Sequence, residues 1–431
     1  MFLIKRNHFF VLIFMLFTLQ GFNQELYKDS VKVSLKDAEN IFLKKNLTLL
    51  SEKYNIDAAR AQIIQSRVWD NPNISINQNV VNTEYQSNGG KHYFDMTNTG
   101  ETSAQIQQLF LIAGKRNKRV QISQLSAQKE EYNYYDMLRT LKYTLRSDYY
   151  NIYYLEQILN VYKREITSLT KLISVFEAQS EKGYVSKKEV LRLKATLFTL
   201  ENEKLGFITQ LHNNLADFNV LLQTANTFYL PMPEDLTTTH KPASSLSLQA
   251  LLDTALQNRN DLLMAQADID ISEMNLKYQK SLAVPDLTLS AGWDRNGSFI
   301  HNYNYIGLQF DLPFFNRNQG NIKTAKFTIE SNKLKVQSVK DRVKADVIQA
   351  YSVALENDNL YNQFDTKFAK DMDDLSEEML KNFEKKNISM LEFLDFCDAY
   401  KQNVIQYNNL QNNRLNAFEN LNFTIGKDIL N

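Results

Sequence analysis

Two short runs of this chain place a serine three residues ahead of a glutamate: Ser186-Lys187-Lys188-Glu189 and Ser389-Met390-Leu391-Glu392. Serine and glutamate at that spacing form a capping box, in which each side chain satisfies a free amide at the start of a helix. Asp395 follows Glu392 by one helical turn on the same face, so the second run presents two carboxylates together. Little else could do chemistry. His8, His92, His212, His240 and His301 share no metal-ligand spacing, and no phosphate-binding loop or nucleophile motif is present. Cys397 is the single cysteine, which excludes an internal disulfide and points to a small, packed apolar role. The pattern predicts no enzyme, no cofactor and no metal site.

Both runs interrupt stretches that read as very long helices. The chain has only 12 Gly and 6 Pro in 431 residues, far below the usual roughly 7% and 5%. Asn321 to Ile425 contains neither, and Gly183 and Gly206 are the only glycines between Lys115 and Leu230. Two helices of about 50 residues, each about 75 Å long, fit either stretch. Apolar stripes run along them at steps of three and four: Val190, Leu193, Leu197 and Leu200 in one, Leu391, Leu394, Cys397 and Val404 in the other. A row of tyrosines that includes Tyr143, Tyr149, Tyr150, Tyr153 and Tyr154 reads as interhelical packing with hydroxyls toward water. Gly183 and Asn387 tolerate the positive φ of a helix stop. Each half is thus a helical hairpin, with tips at Gly183, Tyr184, Val185 and Ser186 and at Asn387, Ile388 and Ser389, although Lys386 stands where the first tip has Gly183.

The halves are copies of one another. Ser34-Leu35 recurs as Ser247-Leu248, Leu43 as Leu256, Leu49-Leu50 as Leu262-Leu263, Ile56-Asp57 as Ile269-Asp270 and Pro72 as Pro285, all at one constant offset. After the proline each half alternates. Leu287, Leu289, Ala291 and Trp293 share one face of a segment from Asp286 to Asp294, and Ile306, Leu308, Phe310 and Leu312 share one face from Tyr305 to Leu312. Together they give a hairpin signal. The first-half counterparts, Ile74, Ile76 and Val80, then Ala104, Ile106, Gln108 and Phe110, are joined by a long polar connection from Asn82 to Glu101. Strands of about ten residues with one apolar face match those that cross an outer membrane at a tilt. Four cannot close a barrel, and open edges cannot be left in lipid, so the hairpins would be supplied to an oligomer. The alternative is a half-buried hairpin in a soluble helical protein.

Lys5 and Arg6 precede an apolar run from Phe9 to Leu19, the pattern of a secretory signal peptide ending near Gln24, with an uncleaved anchor as the alternative. No cysteine follows that run to carry a lipid. Lys plus Arg and Asp plus Glu both total 49, which suggests no general attraction to nucleic acid or acidic lipid.

From about Leu35 to Gly426 the chain resembles the TolC family of outer-membrane efflux ducts. The resemblance rests on the duplication, on Pro72 and Pro285 at the entries to the first strand of each pair, and on the tips. It rests also on two strand-to-helix junctions, Ala113-Gly114-Lys115-Arg116 and the segment from Asp311 to Gly320 that includes Pro313. It implies a mainly α fold with a small β part. Duplicated long helical hairpins would form a trimeric α-barrel in the periplasm, and four strands per chain would join a shared twelve-stranded barrel in the cell outer membrane. The organisation would be a signal peptide at 1–24, a first repeat at 25–230, a linker at 231–246 around Pro231, Pro233 and Pro242, and a second repeat at 247–431. The implied function is passive export by a homotrimer, with substrate handed over by an inner-membrane pump of RND type through a periplasmic adaptor that meets the tips. Glu392 and Asp395 would line the closed end of the duct, where three copies make acidic rings that favour cations and repel one another on closure. Glu189 is the first-half counterpart, with Arg192 in the place of Asp395. Capping alone would equally account for Glu189 and Glu392, but not for Asp395. The Gly114-Lys115-Arg116 junction faintly resembles the heavy-metal branch of the family. The competing reading is an exported periplasmic coiled-coil scaffold or adaptor without a pore, which would leave the paired strands unexplained.

Overall fold

With so few residues able to stop a helix, the chain winds into long ones joined by short strands. A computed structural model describes residues 30–78, 102–223, 227–232, 242–296, 300–364, 368–385 and 387–429. The signal peptide, Val80, the connection from Asn82 to Glu101, His240 and Lys386 lie outside the described residues. In chain order the elements are β1 (Ser30–Val33), α1 (Leu35–Lys45), α2 (Leu47–Arg67), β2 (Asn73–Gln78), β3 (Thr102–Phe110), α3 (Lys115–Glu181), α4 (Lys187–Leu222) and β4 (Phe228–Pro231). The second half follows with α5 (Leu248–Asn258), α6 (Asn260–Ser281), β5 (Leu287–Asn296), β6 (His301–Phe310), α7 (Gln319–Gln363), α8 (Phe368–Glu384) and α9 (Met390–Ile425).

The equal helices of about 50 residues expected above are not found. The first pair has 67 and 36 residues, and the second stretch is cut twice, into 45, 17 and 36. The extra break follows Gln363 with no Gly or Pro nearby, and the Phe364 N–H turns back onto the Tyr361 carbonyl at 3.2 Å. Asn357, Asp358, Asn359 and Asn362 crowd the turns before it, and such side chains compete with the helix for backbone partners; the Asn357 amide indeed donates to the Val353 carbonyl at 2.8 Å.

Two compact units are formed. The first takes Met1–Asn46, Leu145–Thr238 and Thr366–Asn412. Its core joins Ile158, Leu169 and Leu172 of α3, Leu193 and Leu200 of α4, Phe383 of α8, and Phe393 and Ile405 of α9. Leu391, placed in the stripe by its spacing, is 59% exposed, and the buried face of α9 runs instead through Phe393, Tyr400 and Val404. A short parallel pair, β1 with β4, also belongs here, and Pro231 is the last residue of β4. The Tyr149 hydroxyl lies 3.2 Å from the Met232 carbonyl and 3.4 Å from that of Val33, turned inward and not toward water. A fully buried phenol needs such partners.

The second unit takes Leu47–Thr144, Thr239–Asp365 and Asn413–Asn431. Small and β-branched residues of α7 (Val343, Val347, Ala350 and Ala354) pack on Leu251 and Ala255 of α5 and on Phe418, Leu421 and Ile425 of α9. Buried among them, the Asp358 carboxylate accepts from Arg414 Nε at 2.8 Å and from the Ala243 amide at 2.9 Å, while the guanidinium lies 4.8 Å from the Phe418 ring centroid. Removing one partner of such a pair strands the other charge in the core. Asp358→Ala is therefore expected to destabilise this unit by about 3 kcal/mol or more, seen as a fall in thermal midpoint in detergent well beyond that of an exposed control such as Asp341→Ala.

Candidate functional site

The second unit holds a four-stranded antiparallel sheet in the order β2-β3-β5-β6. Its register sets Ile74 opposite Ile106, Ile106 opposite Ala291, and Ala291 opposite Ile306. Leu289 faces Leu308, and Leu287 lies between Phe110 and Phe310. Directly paired residues project to the same side, so the apolar positions of all four strands merge into one face. That face is bare: Ile76 is 71%, Ile306 81% and Leu308 63% exposed. The other face carries Ser75, Gln105, Gly292 and Tyr305 in one row. Gly292 leaves room for Tyr305, since a Cβ there would fall 2.5 Å from its ring. Gln108, on the apolar side, turns its amide to the carbonyls of Asp70 and Leu109 at 2.7 and 3.0 Å. Strands β2 and β6 each have one edge without a partner among the described residues.

The strands differ from the alternating segments mainly at their ends. β6 begins at His301, four residues before the expected Tyr305, and it stops at Phe310, two residues before the expected Leu312. Asp311-Leu312-Pro313 ends it because Pro313 has no N–H to give to a ladder.

Pro72 immediately precedes β2, and Pro285 stands two residues before β5. At the exit of β3, Ala113 and Gly114 both take left-handed φ, 54° and 66°, and turn the chain into α3. Lys115, its side chain only 3% exposed, meets Asp286 at 2.7 Å and the Val284 carbonyl at 2.7 Å, and the same carboxylate accepts from the Ile112 amide at 3.1 Å. This ties the β3–α3 junction of one half to the α6–β5 junction of the other. Pro313 lines a cleft of about 560 Å³ beside Lys115 and Asp286. Asn318, with φ 58°, precedes α7 and donates to the Gln279 carbonyl at 2.8 Å. Nothing in the structure requires glycine at Gly320, where a Cβ would meet open space.

At the first tip Gly183 has φ 77°; its N–H donates to Ser180 O and that of Tyr184 to Gln179 O, both at 3.0 Å. This is a Schellman stop. At the second tip the Asn387 N–H closes on Asn382 O at 2.9 Å, the bond that Tyr184 makes at the first. By that bond Asn387 corresponds to Tyr184, not to Gly183. Both capping boxes form. Glu189 accepts from the Ser186 amide at 3.0 Å, and Glu392 from the Ser389 amide at 2.8 Å. Tyr184 is 75% exposed, while Val185, Glu189, Ile388 and Ser389 line a cleft of about 680 Å³.

The carboxylates thus have different duties. The Ser389 amide and hydroxyl hold Glu392 below the usual carboxylate range. Asp395 is exposed and makes no hydrogen bond or ion pair among the described residues; it shares a cleft of about 330 Å³ with Arg192, Glu165, Asp398 and Lys401 but not with Glu392. Sequence reasoning missed two half-buried acids of α3. Burial pushes Glu165 up to about 7, against the pull of Arg164 and Lys401. Burial also pushes Asp148 up to about 7, with help from Asp217, and its Oδ2 has no hydrogen-bond partner. For Asp148 a signal was present, since an acid inside a tyrosine-rich helical run has little water to face; the polar neighbours of Glu165 gave none. Burial, with Glu165 nearby, raises the Cys397 thiol to about 12, which leaves it unreactive. No group of metal-binding side chains occurs among the described residues, and no described helix is long and apolar enough to cross a membrane.

A carboxyl raised in the folded state binds more protons there than in the unfolded chain. Between the ordinary value near 4 and about 7, stability therefore falls as pH rises, and it levels off above. Thermal midpoints in detergent should decline from pH 5 to pH 8, and the Asp148→Asn, Glu165→Gln double variant should flatten that slope.

These features define a helical protein whose membrane-compatible surface, among the described residues, is a sheet. A family model for the outer membrane efflux protein matches residues 40–222 and again 251–427. The chain belongs to that family, whose members are channels of the outer membrane and not enzymes. The cobalt-zinc-cadmium resistance protein CzcC of Cupriavidus metallidurans is 35% identical over 75 residues, which is 17% of this chain and 18% of that protein. The match thus spans under a fifth of the relative. The CmeC outer membrane channel of Campylobacter jejuni shares the fold with a TM-score of 0.75 at 14% identity, over 92% of this chain and 86% of that one. CusC does so with a TM-score of 0.74 at 14% identity, over 94% and 96%.

Proposed function

We propose that this chain is the outer-membrane duct of a tripartite export system, conducting substrate passively from an inner-membrane pump, of RND type, through a periplasmic adaptor. The observation that carries this reading is the sheet with one bare apolar face and two open edges. Unpaired strand edges cost several kcal/mol per group in lipid, so each edge must be met by another copy. β6 of one copy beside β2 of the next gives twelve strands in a trimer, within the range of closed barrels. The scaffold alternative offers no partner for the apolar face.

In this proposal the two repeats, 25–230 and 247–431, follow a cleaved signal peptide at 1–24 and are joined by 231–246; the double family match supports that division. Gly183 to Ser186 and Asn387 to Ser389 are the surfaces that meet the adaptor. Asp395 is the gate residue with no capping duty, and Glu392 and Glu189 assist only so far as their capping bonds allow. Arg192 in the same cleft gives Asp395 an opposite charge on the facing helix. The name of the partial relative makes divalent metal cations the first substrates to assay.

Carbonate-washed membranes should retain the protein, and light scattering in detergent should return three chains per particle. Release by carbonate, or a monomer soluble without detergent, would transfer the assignment to the scaffold. In planar bilayers the Asp395→Ala, Glu392→Ala pair should raise single-channel conductance; unchanged conductance would remove both from the gate.

A further inference from the structure

Equal numbers of charges conceal an uneven distribution. The first five residues of α3, Lys115-Arg116-Asn117-Lys118-Arg119, carry four cations, and no acid follows until Glu130. Arg317 precedes α7, whose first charged residues, Lys323 and Lys326, also come before any acid. Cations at a helix start oppose the helix dipole, so helix stability does not account for them. Both helices begin where β3 and β6 end, beside the row in which Phe110, Leu287 and Phe310 finish the apolar face.

That rim is rich in exposed apolar side chains: Trp69 at 54%, Leu312 at 62%, Phe314 at 68% and Phe315 at 96%. Trp69 stands edge-on to Phe110 with centroids 6.0 Å apart, and the Arg116 guanidinium lies over the indole at 4.2 Å. An aromatic ring continuous with a lipid-facing surface, topped by a cation, fits the level where acyl chains give way to headgroups.

We infer that this rim, with Arg116, Lys118 and Arg317 as its cations, binds the anionic headgroups of phospholipid in the periplasmic leaflet. The inference rests on the outer-membrane placement of the sheet and on nothing proposed for tips or gate. It also revises locally the expectation of no attraction to acidic lipid, because surface charges act over about a Debye length of 10 Å, not through the total for the chain.

The test titrates the purified full-length protein, in neutral detergent, with phosphatidylglycerol, phosphatidylcholine or inorganic phosphate, reading thermal midpoint and retained lipid by native mass spectrometry. Phosphatidylglycerol should raise the midpoint and be retained, whereas the other two at equal concentration should not. The Arg116→Gln, Lys118→Gln, Arg317→Gln variant should weaken that response by about fivefold per charge removed. Equal responses to both lipids, a triple variant as responsive as the parent, or phosphate alone reproducing the effect would each overturn the inference. Should the variant misfold, the parent decides: its phosphatidylglycerol response must shrink as salt rises, and a salt-insensitive response refutes the rim. A detergent-requiring trimer indifferent to headgroup charge refutes this inference and leaves the duct standing; a water-soluble monomer refutes the duct itself.

Discussion

The structure is governed by two backbone edges that have no partner among the described residues. In water, exposed N–H and C=O groups of β2 and β6 could be hydrated, but the face beside them is lined by Ile74, Ile76, Ile306 and Leu308, which water does not favour. In lipid the face is satisfied and the edges are not. The oligomer proposed above, in which further copies continue the sheet, meets both demands. Duplication serves the same end, because each half brings one hairpin and the β3–β5 pairing joins them side by side. The long helices bury narrow stripes and leave polar faces, which suits elements that stand outside the membrane.

Around the sheet the junctions act as fixed corners. Lys115 and Asp286 lock a corner from each half to the other in a site almost closed to water, and left-handed residues at Ala113, Gly114 and Asn318 redirect the chain where strand becomes helix. At the other ends of the long helices, the capping boxes begin the returning helices, and they engage two of the three acids that looked available for gating. The third, Asp395, shares a cleft with Glu165. Glu165 and Asp148 owe their raised affinity for protons to the packing of α3, which is a property of the assembled bundle.

Much of this was legible in the sequence because the signals were local. The period-two run through Leu287, Leu289 and Ala291 marked β5, and Ser-x-x-Glu marked both returning helices. What escaped was set by tertiary contact. His301-Asn302-Tyr303-Asn304 has no apolar alternation and joins β6 only because β5 is there to pair with it. The four-residue pair β1–β4 is too short to leave a pattern. Leu391 has the spacing of a core residue, yet the neighbours of α9 select Phe393 instead. The break after Gln363 uses no glycine or proline, only a concentration of Asn and Asp. The total charge averaged away a cluster that the fold keeps together.

The order of strands in the sheet also constrains how the protein is made. β3 pairs with β5, and between them in the chain lie α3, α4, α5 and α6. The entropy of closing so long a loop grows only logarithmically with its length, so the finished pairing loses little stability by it. The kinetics are another matter, because distant pairings form late. As the chain emerges from its amino end, the β2–β3 hairpin, complete at Phe110, must wait, apolar face uncovered, until the chain has grown on to β5 at Leu287. During that interval it is a short, sticky ribbon attached to a growing rod, open to wrong partners. The strand order thus sets how long that face stays uncovered, a delay that neighbouring strands joined by a short turn would not impose.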